Sequence, residues 1–70
     1  MSTTVQLPPL NARNAREARE QLRDRRARLL TAASDLLDRA ELFTHTAVDV
    51  ADELIREARA LIALADRCKL

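Results

Sequence analysis

Glycine is absent from this 70-residue chain, and so are tryptophan and tyrosine; Phe43 is the one aromatic residue, Cys68 the one cysteine and His45 the one histidine. Each gap removes a class of chemistry. Without glycine there is no glycine-rich loop to cradle a phosphate. A single cysteine rules out a disulfide within the chain, and with a single histidine beside it no structural zinc set can be assembled. The dearth of rings leaves little to stack on bases or to grip a sugar. No run approaches the eighteen or so apolar residues that span a bilayer, and the N-terminus lacks a charged start followed by an apolar core, so a cytoplasmic protein is expected. Both prolines, Pro8 and Pro9, fall near the N-terminus.

What is there is alanine, leucine, arginine and acidic residues, a composition that favours long helices and starves β-structure. Seventy residues make at most one domain with a small core, so oligomerisation or a partner is the expected supplement to its stability. The formal net charge is only +1, yet residues 13–28 carry seven arginines against three acids. The molecule is nearly neutral but polarised.

The stretch from Ala47 to Cys68 organises the chain. Ala47, Ala51, Leu54, Ala58, Leu61, Ala65 and Cys68 recur at steps of four and three, the period of one helical stripe. Val48, Ile55 and Ile62 run beside them at steps of seven, so one helix offers two apolar edges. The alanine edge is shallow enough for a close neighbour, and the isoleucine edge suits a second one. A first helix is expected over about 12–43, capped by Asn11, with the stripe Ala15, Ala18, Leu22, Leu29, Ala33, Leu36, Ala40 and Phe43 widened by Leu30 and Leu37. Phe43 to Thr46 reads as a turn, with Thr46 and Asp49, or else Thr44, capping a second helix over about 47–69 that Arg67 and Lys69 close. Residues 1–10 read as an extended or disordered arm, in which Val5, Leu7 and Leu10 offer apolar contacts.

The fold class that follows is all-α: a two-helix antiparallel hairpin over residues 11–70, dimerising into a four-helix bundle. The helical phase also passes through residues 44–46 without a glycine or proline, so one long coiled-coil helix is the alternative. Folding about residue 45 sets Leu36 opposite Leu54, Leu29 opposite Leu61 and Leu22 opposite Cys68. It leaves residues 11–21 with no partner inside the monomer.

Chemistry-bearing residues are few. His45 with Asp49 has the spacing of two metal ligands or of a base and its orienter, but reads as a polar turn and an acid matched to the helix dipole. Asp52 and Glu53 read the same way. Cys68 lies on the apolar stripe with no histidine near it in sequence and reads as a small core residue. No catalytic residue, metal ligand or cofactor is expected.

The functional expectation is therefore a non-enzymatic helical module, a small regulator, inhibitor or adaptor that binds a protein partner and itself as a homodimer. Self-association is assigned to Val48, Ala51, Leu54, Ile55, Ala58, Leu61, Ile62 and Ala65. Arg16, Arg19, Arg23 and Arg26 follow steps of three and four along one helix edge and are assigned to an acidic or helical protein partner. A nucleic-acid-binding regulator using that edge is the alternative from another class, opposed by the interleaved Glu17, Glu20 and Asp24. A structural subunit of a larger helical assembly is the third reading.

Overall fold

A computed structural model describes residues 5–68 of the chain. Within them lie two helices, α1 (Ala15–Phe43) and α2 (Val48–Asp66), packed against each other as an antiparallel hairpin, and no strand. The continuous helix is thereby excluded.

The hairpin is held by a narrow seam. From α1 it takes Leu29, Ala33, Leu36 and Ala40, and from α2 Ala51, Ala58 and Ala65, all buried. Leu29 and Leu36 of α1 fit against the alanines of α2, a pairing of large with small side chains that lets two helices pack closely. Leu36 shares a cluster with Leu54 and Ala58, Leu29 with Leu61 and Ala65, and Leu22 with Cys68, which is the pairing set by a fold about residue 45.

The turn does without glycine because its backbone never enters the left-handed region. Thr44 stays helical at φ −57° and ψ −35°, and the chain breaks only at Ala47, at φ −144° and ψ 75°. Among the described residues no φ is positive. The hydroxyl of Thr44 donates to the carbonyl of Ala40 at 3.1 Å, and the Ala47 N–H donates to the carbonyl of Phe43 at 2.9 Å. Thr44 thus serves the end of α1. The N-cap of α2 is Ala47, with no side-chain cap, rather than the expected Thr46 or Thr44. At its other end Arg67 caps α2, and Lys69 lies outside the described residues.

The start of α1 also differs from expectation. The cap is Asn14, not Asn11: its Oδ1 accepts from the Glu17 N–H at 2.9 Å, and Glu17 Oε2 reaches back to accept from the Arg13 N–H at 3.0 Å. This reciprocal arrangement satisfies two donors that the helix start would otherwise leave open. Asn14→Ala is expected to lower stability by about 1 kcal/mol, read as a shifted urea midpoint with an unchanged slope.

Residues 5–12 carry neither helix nor strand, and they lie back along α1; Met1 to Thr4 fall outside the described residues. Asn11 and Gln21 exchange amide hydrogen bonds, with Asn11 N–H donating to Gln21 Oε1 at 3.2 Å and Gln21 Nε2 donating to Asn11 Oδ1 at 2.9 Å. Further on, Arg25 Nη2 donates to the Pro8 carbonyl at 2.7 Å, a carbonyl that accepts readily in an extended proline segment. Val5 and Leu7, half-buried, then pack on the cluster of Leu29, Ala65 and Cys68. The arm thus meets α1 from Gln21 onward, while Ala15, Arg16, Arg19 and Glu20 at its start stay exposed. Leu10 takes no share in this and stays exposed.

Candidate interaction surface

A helix turns about 100° per residue, so positions relative to the seam decide what faces where. Leu30 and Leu37 each follow a seam leucine by one residue. On α2, Ile55 and Ile62 each follow a seam alanine by four, and Val48 precedes Ala51 by three. Because the helices run in opposite directions, these two flanks open on the same side of the hairpin. Arg25 and Ala32 precede seam leucines by four and lie on the other side, as Leu54 and Leu61 do on α2. The arm covers that second side, where Leu61 joins Val5 and Leu7 at the core cluster. The arm thus covers part of one face at the open end of the hairpin, a face on which Val50 and Leu64, each one residue before a seam alanine, stay 42% and 44% exposed, and it leaves the other face bare.

The unroofed face is apolar along its middle. Val48 is 58% exposed, Leu37 40% and Ile62 37%, with Ile55 and Leu30 half-buried between them. Isolated exposed leucines, such as Leu42 on the outer side, are ordinary, but a contiguous strip on one face is characteristic of an association surface. Total accessible surface tells the same story. The chain exposes 5536 Å² for 7.9 kDa, where a compact monomer of that mass exposes about 4,400 Å². Its extents of 49 × 19 × 13 Å account for the excess, a thin slab rather than a sphere.

Residues assigned to self-association from the sequence divide accordingly. Ala51, Ala58 and Ala65 are buried in the seam, and Leu54 and Leu61 pack against it. These five hold the hairpin together within one chain, so the surface left for a second molecule on α2 comprises Val48, Ile55 and Ile62. Sequence reasoning did not place Leu30 and Leu37 beside them. The signal was available, since they widen the α1 stripe at a spacing of seven, as the isoleucines do on α2.

The arginine edge is brought together in part. Arg16, Arg19 and Arg23 are exposed on α1, and Arg16 pairs with Glu20 at 3.5 Å. Arg26 is half-buried, its Nε shielded and without a hydrogen-bond partner. Two arginines outside that edge are also tied down: Arg13 to Glu17 at 3.5 Å and Arg28 to Asp24 at 2.9 Å. Such exposed pairs steady α1 by a few tenths of a kcal/mol each and dilute its positive field.

Among the described residues, no group of three or more His, Cys, Asp or Glu side chains could hold a metal ion. His45 and Asp49 are exposed at the turn. Cys68 is buried, with its Sγ 3.7 Å from the Leu64 carbonyl. An open groove of about 470 Å³ lies where Val5 and Gln6 face Arg28, Thr31, Asp35 and Arg39. No described helix is long and apolar enough to cross a membrane.

Because Leu7 and Val5 pack beside Cys68, the thiol reports on the arm. Leu7→Ala is expected to cost about 1–2 kcal/mol and to raise the rate of Cys68 modification by a thiol reagent several-fold in the native protein. An unchanged rate would mean that the arm does not shield it.

Fold and surface together define an antiparallel helical hairpin, strapped on one face by its own N-terminal arm and apolar on the other. Compared with known proteins, the chain matches no family model, no curated protein and no solved structure.

Proposed function

We propose that this protein is a non-enzymatic helical interaction module of the cytoplasm, a small regulator, inhibitor or adaptor that acts by self-association and by binding a protein partner. The observation that carries the reading is the strip of exposed Val48, Ile62 and Leu37 with half-buried Ile55 and Leu30 on the face that the arm does not touch. An apolar strip of this kind, rimmed by charge, suits another helical surface laid along it. The exposed Arg16, Arg19 and Arg23 supply the charged rim that would select an acidic mate.

Light scattering of the full chain with and without nucleic acid tests this. Association at micromolar protein in the absence of nucleic acid is expected, with no RNA or duplex DNA retained at low salt. Retention that falls steeply as salt rises would instead assign the arginine edge to phosphates. The ion pairs along α1 argue against that outcome.

A further inference from the structure

The charges of the hairpin are segregated along its length as well as along α1. A cut across both helices between residues 33 and 34 and between residues 57 and 58 divides it into two ends. The turn end, residues 34–57, holds seven acids and two arginines, a net of −5. The open end, residues 5–33 and 58–68, holds nine arginines and four acids, a net of +5. Two rods of this kind repel when laid side by side in parallel and attract when laid side by side antiparallel.

The same polarity appears on the unroofed face. Arg26, Arg23 and Arg19 precede Leu30 by four, seven and eleven residues, so they share its flank beyond the apolar strip. Glu41 follows Leu37 by four and Asp52 follows Val48 by four, so these acids share the flank at the turn end. The midpoint between Leu30 and Leu37 lies about 11 Å along the helix from Arg26 and the same from Glu41. A two-fold axis through that midpoint, lying in the uncovered face and perpendicular to the helix axes, sets α1 over α1 and brings Glu41 of one chain level with Arg26, and within a turn of Arg23, of the other. It also lays Ile55, Ile62, Leu30 and Leu37 of the two chains over one another.

We infer that the acidic partner of this surface is a second copy of the chain, docked antiparallel through the Leu30, Leu37, Val48, Ile55 and Ile62 strip, with each turn end seated on the other's arginine end. The inference rests on the association reading above and specifies it. An isologous interface closes on itself, so the product is a dimer, a four-helix bundle with an arm on each outer face, and not a filament.

Charge reversal on exposed residues tests the arrangement without touching the seam. Arg23→Glu sets an acid within a turn of Glu41 at both symmetry-related ends of the antiparallel dimer, and is expected to weaken self-association by about tenfold at low salt. Glu41→Arg added to the same chain restores attraction at both symmetry-related contacts and should bring the dissociation constant back to within a few-fold of wild type. Circular dichroism on each variant confirms unchanged helicity. Association that persists at wild-type strength in all variants would overturn the antiparallel pairing and leave the association reading standing. A wild-type chain that stays monomeric would overturn both.

Discussion

Leu36→Ala is expected to remove about 2–5 kcal/mol of stability, the range for emptying a well-packed leucine site. Leu36 is completely buried, at the centre of the seam, against Ala33, Ala58 and Leu54. Alanines on the facing helix cannot extend to fill the hole, and the backbones are already close. A domain of this length has roughly 4–10 kcal/mol to lose, so the variant should show a large fall in urea midpoint and visible loss of helicity in dilute solution. Leu42→Ala provides the contrast on the same helix. Leu42 is 74% exposed, so its replacement should change the midpoint by less than about 0.5 kcal/mol. Equal effects at the two sites would place the seam elsewhere.

The second large effect concerns the uncovered face. Ile55→Asp with Ile62→Asp should weaken self-association by on the order of a hundredfold or more, because each dimer then carries four carboxylates where apolar contacts were made. Helicity should be largely kept in the isolated chain. Ile62 is exposed there and Ile55 is only half-buried, and both stand beside the seam rather than in it. The same pair of changes at Ala58 and Ala65 would unfold the hairpin instead, since those positions are 0% and 1% exposed. Loss of helicity and loss of association thus report on different edges of α2.

Much of this architecture was legible because alanine and leucine repeat at helical spacing with almost no interruption. The stripe gave both helices, their register and the second edge of α2. What misled was local. Asn11 was favoured as a cap for its place just after the prolines, while Asn14 with Glu17 three residues on is the capping-box spacing, and that pair wins because it satisfies backbone donors at both ends. Thr46 and Asp49 have a similar spacing, yet Thr44 is spent on α1 and Ala47 begins α2 uncapped. A turn that uses only right-handed and extended backbone leaves no glycine for a reader to find.

The arm was the least legible part. Its docking depends on contacts across ten and seventeen residues, Asn11 with Gln21 and Arg25 with the Pro8 carbonyl, which no periodicity announces. Those contacts decide on which side of the hairpin the arm lies. They add cover to α1 from Gln21 to Leu29, where its own apolar stripe is thin. Of the eight residues assigned to self-association, five belong to the seam, because a stripe in sequence shows that a face is buried and not by which molecule.

Sedimentation equilibrium of the full chain at tens of micromolar and low salt tests the central claim most directly. The account requires a species of twice the 7.9 kDa chain mass that shifts toward the single-chain mass when Ile55 and Ile62 are both changed to aspartate. A fully helical wild-type protein that sediments at the single-chain mass under those conditions would contradict it.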